Sequence, residues 1–184
     1  MNSKIKYSDN AMAEIRKNTK CGEGVLLRGI VKAVIRDKDG NIKSELYGEN
    51  IMTNEGVAYA LDNGIAGGTW YLGLTSATPS PAAGDTMSTH AGWTEFTAYD
   101  EATRQAWTEV RSSLTISNTA SPSVYTCDTN SSTVGGAFIS TDNTVGGTTG
   151  TLLCAVAFTN GNKSLDDNDT ITVAYTITGA DDGV

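Results

Sequence analysis

From Thr170 to Thr178 the chain reads TITVAYTIT, and the strict alternation of this run is the tightest constraint in the sequence. Successive side chains of a strand point to opposite faces. Ile171, Val173, Tyr175 and Ile177 therefore share one face, while the threonines and Ala174 share the other. One buried and one wet face is the pattern of an antiparallel sheet packed on a single side. Four further runs, SSLTISNT, SVYTCD, GGAFIST and TLLCAVAFT, are similarly short and are bounded by Asn, Asp, Gly or Ser. Regular short strands separated by turn residues predict an all-β chain, a β-sandwich of jelly-roll-like form. The composition agrees, with 20 glycines, 3 prolines and only 18% charged residues.

Before these strands, two β-rich runs flank Asp37 to Asn41 in GVLLRGIVKAVIRDKDGNIKSELYGEN, which predicts a hairpin with Asp39-Gly40 at its turn. The DKDGN stretch also resembles the start of a calcium loop. Ile42 stands where that loop needs glycine, however, and Gly48 where it needs a bidentate glutamate. A short helix is predicted near residues 54–62: Thr53 or Asn54 caps it, Val57, Ala60 and Leu61 recur at helical spacing, and Gly64 ends it. TWYLGLTS then predicts a strand with Trp70, Leu72 and Leu74 on one face, and ATPSPAAGD a surface loop. Residues 1–24 are polar and lack a period, so they are expected to form an extended N-terminal arm before one sandwich domain over residues 25–184.

The net charge of −8 is unevenly spread. Residues 1–50 hold ten Lys and Arg against seven acids, and residues 51–184 hold three against fourteen. The body therefore repels nucleic acid, and the basic start is expected either to meet a polyanion or an acidic protein face or to be a solvated tail. Lys4, Lys6, Arg16, Lys17 and Lys20 are its candidate contacts. Met1 to Lys20 lacks the apolar middle of a secretion signal and no run is long enough to span a membrane, which predicts a chain made and folded in the cytosol. Cys21, Cys127 and Cys154 are odd in number and show no metal-ligand spacing, so free thiols are expected, with neither zinc nor another cofactor.

Residues 85–107, DTMSTHAGWTEFTAYDEATRQAW, gather two of the three tryptophans, the single histidine and four acids. His90 lies beside Ser88 and Thr89, yet no nucleophile-elbow glycines surround them and no second histidine exists for a metal site. Glu95, Asp100, Glu101 and Glu109 are candidates for a glycosidase-type carboxylate pair, whose separation a sequence does not give. GGTTGT lacks the lysine of a phosphate loop. Trp93, Phe96, Tyr99, Arg104 and Trp107 combine the residue types enriched at binding hot spots, and so are candidate interface anchors. The alternative is that the aromatics close the ends of the protein's own sandwich, and composition does not choose between the two.

Residues 50–178, with YLGLTSATPSPAAGDTMSTHAGWTEFTAYDEATRQAW, GGAFIST, GGTTGTLLCAVAF and DDNDTITVAYTIT in that order, resemble a group of small virion proteins of tailed bacteriophages. The resemblance implies a structural protein without enzymatic activity, a cement or decoration protein on the capsid exterior. It implies a dimer or trimer that binds across subunits of the major capsid protein, while charge and hydropathy lead to the expectation of neither membrane nor nucleic acid as a direct partner. A tail or tail-fibre component is the second expectation, and a carbohydrate-binding or depolymerase module the third.

Overall fold

The computed structural model describes residues 25–181, and they form an antiparallel all-β sandwich with one short helix. The expected arm over residues 1–24, with Cys21, Lys4, Lys6, Arg16, Lys17 and Lys20, lies outside the described residues.

The chain opens with β1 (Val25–Arg36) and β2 (Ile42–Met52), the predicted hairpin. Its turn is organised from the side chain of Asp37, whose Oδ1 accepts the amides of Asp39 and Asn41 at 2.9 and 2.8 Å, while Gly40 takes φ 85°. A glycine relieves the steric cost of that left-handed conformation. Helix α1 (Asn54–Asn63) follows directly. Of the two predicted caps Thr53 is the one used, its Oγ1 accepting the Gly56 amide at 2.9 Å, and Gly64 terminates the helix at φ 73°.

Next come β3 (Tyr71–Thr75), β4 (Glu95–Phe96), β5 (Gln105–Ala106), β6 (Val110–Ser112), β7 (Thr115–Ser117) and β8 (Ser123–Thr126). The C-terminal part adds β9 (Ser132–Val134), β10 (Gly136–Ser140), β11 (Leu152–Ala157), β12 (Lys163–Leu165) and β13 (Thr170–Asp181). β13 is central to the first layer. It pairs along its length with β1, and on its other side with β8 in its first half and β7 in its second. β6 closes that edge. The second layer runs β11, β10, β3, with β4 and β5 sharing the far side of β3. β2 belongs to both layers, since Ile42–Glu49 pair with β1 and Asn50–Met52 with β11.

The core lies between the layers. Ile171, Val173, Tyr175 and Ile177 are all fully buried, as the alternation predicts, and they meet Leu72, Leu74, Ile139, Cys154 and Val156 from the facing layer. Burial of such side chains contributes roughly 1.5–3 kcal/mol each, and this supplies the main drive for the sandwich. Two buried phenols also join the layers. Tyr175 donates to Cys154 Sγ at 3.1 Å, and Tyr125 on β8 donates to the Leu72 carbonyl on β3. Such burial raises both tyrosine pKa values and lifts the Cys154 thiol to about 11.

The layers differ on their outer faces. Outside the second layer, Met87 and Trp93 from the 76–94 loop pack on Phe138, Leu152 and Ala155 and form a smaller second core. This loop is fixed by backbone bonds from Ser76 to Thr94, Ser80 to Gly92 and Asn54 to Ala83. Outside the first layer the strand surface is uncovered by described residues, and Ile30, Ile42, Tyr47, Val110 and Val124 are 39–57% exposed there.

Candidate functional site

The 85–107 segment is assembled around one guanidinium. Arg104 is 1% exposed and makes a two-pronged ion pair with Glu95 on β4, Nε to Oε1 and Nη2 to Oε2 at 2.8 Å each. Nη1 also donates to the Asp142 carbonyl at 2.7 Å, and Nη2 to the Gly147 carbonyl at 2.8 Å. Glu95 Oε2 in turn accepts the Gly146 amide at 2.8 Å. A planar guanidinium matches a carboxylate in this fork geometry, and its remaining donors are free for carbonyls. The guanidinium carbon lies 5.1 Å over the Phe138 ring, an arrangement favourable in a desolvated setting. Three segments are thereby locked together: β4, the approach to β5, and the 141–150 loop. Within that loop, hydrogen bonds from the Thr149 hydroxyl and the Thr144 amide hold the Asp142 carboxyl below its usual range.

Of the other candidate catalytic groups, Asp100 is exposed and bonds through its backbone amide, to the Thr126 carbonyl at 2.9 Å, while Glu101, Glu109 and His90 are engaged through their side chains. Both Glu101 oxygens accept the Thr126 amide at 3.1 Å, tying the segment to β8. Glu109 Oε1 accepts the Gly67 amide at 2.9 Å. His90 Nδ1 lies 3.1 Å from the Trp93 carbonyl, and its ring stacks on the Trp93 indole with centroids 3.8 Å apart. A cavity of about 320 Å³ opens beside this stack, lined by Met87, His90, Trp93, Glu95 and Gly146. The carboxylate that lines it is already bonded through both oxygens to Arg104 and to the Gly146 amide. Among the described residues no group of three or more His, Cys, Asp or Glu side chains is placed to hold a metal ion. No helix among them is long and apolar enough to cross a membrane.

The five candidate interface anchors all lie within the fold. Trp93, Phe96, Tyr99, Arg104 and Trp107 are 8, 3, 5, 1 and 1% exposed. Trp107 packs edge-on against Tyr175 and donates Nε1 to the Tyr175 carbonyl at 3.3 Å. Tyr99 packs against Tyr125 with centroids 4.7 Å apart, and Phe96 lies behind it. Trp93 roofs Phe138. In this conformation a partner docking on the segment would meet the edges of these side chains and little of their faces.

Among the described residues, the first layer offers a broad uncovered strand surface outward. Strand register places Val110, Ser117, Thr176, Ile30 and Glu49 in one row across it. Ala174, Lys32 and Tyr47 form the next, followed by Val124, Thr172, Val34 and Glu45, and then Thr126, Thr170, Arg36 and Ile42. Lys32 pairs with Glu45 at 3.3 Å and lies 5.5 Å over the Tyr47 ring. The sequence carried a signal for this face: in β1, Ile30 and Val34 share the wet positions of the alternation with Lys32 and Arg36. Comparison with family models, curated proteins and solved structures found no match.

Proposed function

We propose that this chain is a structural protein of a tailed-bacteriophage virion, a cement protein on the capsid exterior that binds across major capsid protein subunits and catalyses nothing. The sequence resemblance of residues 50–178 supports the virion assignment. The observation that carries the structural role is the use made of the 85–107 segment: Glu95, Glu101, Glu109 and His90 each hold a loop or strand in place. Side chains that could have formed a reactive centre are spent on rigidity. A rigid scaffold with a broad outward sheet face suits a protein that holds subunits together through many modest contacts, because linked contacts multiply apparent affinity.

The test uses purified full-length protein and phage heads lacking decoration. Saturable binding, together with a raised temperature of head disruption, is the expected result. Failure to bind any head or tail particle overturns the reading, as does release of reducing sugar from host polysaccharide that is lost in Glu101→Gln. Binding to tails alone moves the protein to the tail and overturns the cement role.

A further inference from the structure

We infer that the uncovered face of the first layer is a self-association surface, on which a second copy of this chain packs sheet to sheet about a two-fold axis. Self-association stands apart from the proposed virion role, since its readout needs no particle.

The first argument is electrostatic. Among the described side chains of the face, Lys32 and Arg36 on β1 balance Glu45 and Glu49 on β2. The chain as a whole carries −8, so two copies repel on average and a charge-balanced patch lowers that cost where they meet.

The second argument is symmetry. A two-fold contact uses the same patch on both partners, so the patch must complement itself. An axis across the strands, level with the midpoint between Lys32 and Val34, lays each strand antiparallel over its own copy. Lys32 then comes over Val34 of the second copy and beside its Glu45, while Arg36 comes over Ile30 and beside Glu49. Thr172 comes over Ala174. Each cation meets a carboxylate and an aliphatic surface for its stem, and the small residues of β13 allow the layers to approach.

The third argument is size. The face is five strands wide where β13 continues into β7 and β6, and four where it continues into β8. At about 4.8 Å per strand and about 3.3 Å per residue, its outline is on the order of 24 by 25 Å. Accessible area follows side-chain relief and exceeds this outline, which brings the face near the roughly 800 Å² per partner of a standard interface. The exposed Ile30, Ile42, Tyr47, Val110 and Val124 supply its apolar content.

Sedimentation velocity over a concentration series of the full chain tests the inference. The expected species is a reversible dimer of twice 19.3 kDa. Lys32→Glu places like charges side by side across the axis and should weaken the dimer at least tenfold. Lys32→Glu with Glu45→Lys exchanges the charges and should restore it. Val57→Lys, on the exposed side of α1, should change nothing. A monomer at the highest soluble concentration overturns the inference. So does a trimer, a dimer indifferent to Lys32→Glu, or a loss that the exchanged pair does not recover.

Discussion

Replacing Glu95 with Gln removes one charge from the most enclosed ion pair among the described residues while changing almost no volume. The Arg104 side chain is 0% exposed and that of Glu95 8%, so water does not replace the lost carboxylate. Breaking one side of such a pair costs about 3–5 kcal/mol, because a desolvated charge is left without its counter-charge. The loss is a large part of the roughly 5–15 kcal/mol that holds a domain folded. For a chain of this length it corresponds to a fall in Tm of about 6–20 °C. Arg104→Met should cost a similar amount, since it strands the Glu95 carboxylate, leaves the Gly147 carbonyl without its side-chain donor and leaves the Asp142 carbonyl to the Ser140 hydroxyl alone. The double variant Glu95→Leu/Arg104→Met should cost far less than the two losses summed, because neither charge remains. Urea unfolding followed by tryptophan fluorescence gives all three values, with Trp93 beside the site as a local reporter. Single losses below about 1 kcal/mol, or additivity within about 0.5 kcal/mol in the double variant, would refute the clamp.

Three further outcomes follow from features of the fold. The Asp142 carboxyl titrates below its ordinary value of 3.8, so its contribution is complete above that value and is lost as pH falls through the lower folded pKa; Asp142→Asn should be less stable than wild type at neutral pH, and the gap should close in strong acid as read by urea midpoints against pH. Cys127 and Cys154 are buried with raised pKa values, and in a Cys21→Ser chain neither should react with a thiol reagent at pH 8 until denaturant unfolds the protein. Gly56 lies where helix α1 crosses β11, and a Cβ there would fall 2.1 Å from the Leu153 carbonyl oxygen; Gly56→Ala should cost about 1–3 kcal/mol by urea unfolding despite alanine's better helix propensity.

The elements that can be read from sequence are those whose residues report their own surroundings. β13 alternates because one of its faces is buried along its whole length, and α1 carries its cap, its period and its stop within a dozen residues. The 85–107 segment behaves differently. Its strands β4 and β5 are two residues long, too short for a period to emerge, and they exist because β3 offers an edge to pair with. Arg104 and Glu95 are nine positions apart, a spacing no regular element brings together, and the turn that joins them is held by carbonyls some forty residues downstream. Composition therefore identified the right residues as unusual without saying which way they point. The second core was hidden for a related reason. β10 is buried at every position, because one face meets the main core and the other meets the roof built by Met87 and Trp93, so the run GAFIS shows no alternation that would reveal a covering loop.

β2 passes from one layer to the other at Asn50 without a break in the chain. A force applied to either sheet is thus carried into its neighbour by covalent bonds, and the two cannot peel apart like independent leaves. Shearing one past the other must first strip the ladder on both sides of that crossing. In the cement role proposed above, that crossing predicts a single rivet, failing all at once at a sharp threshold in place of creeping open.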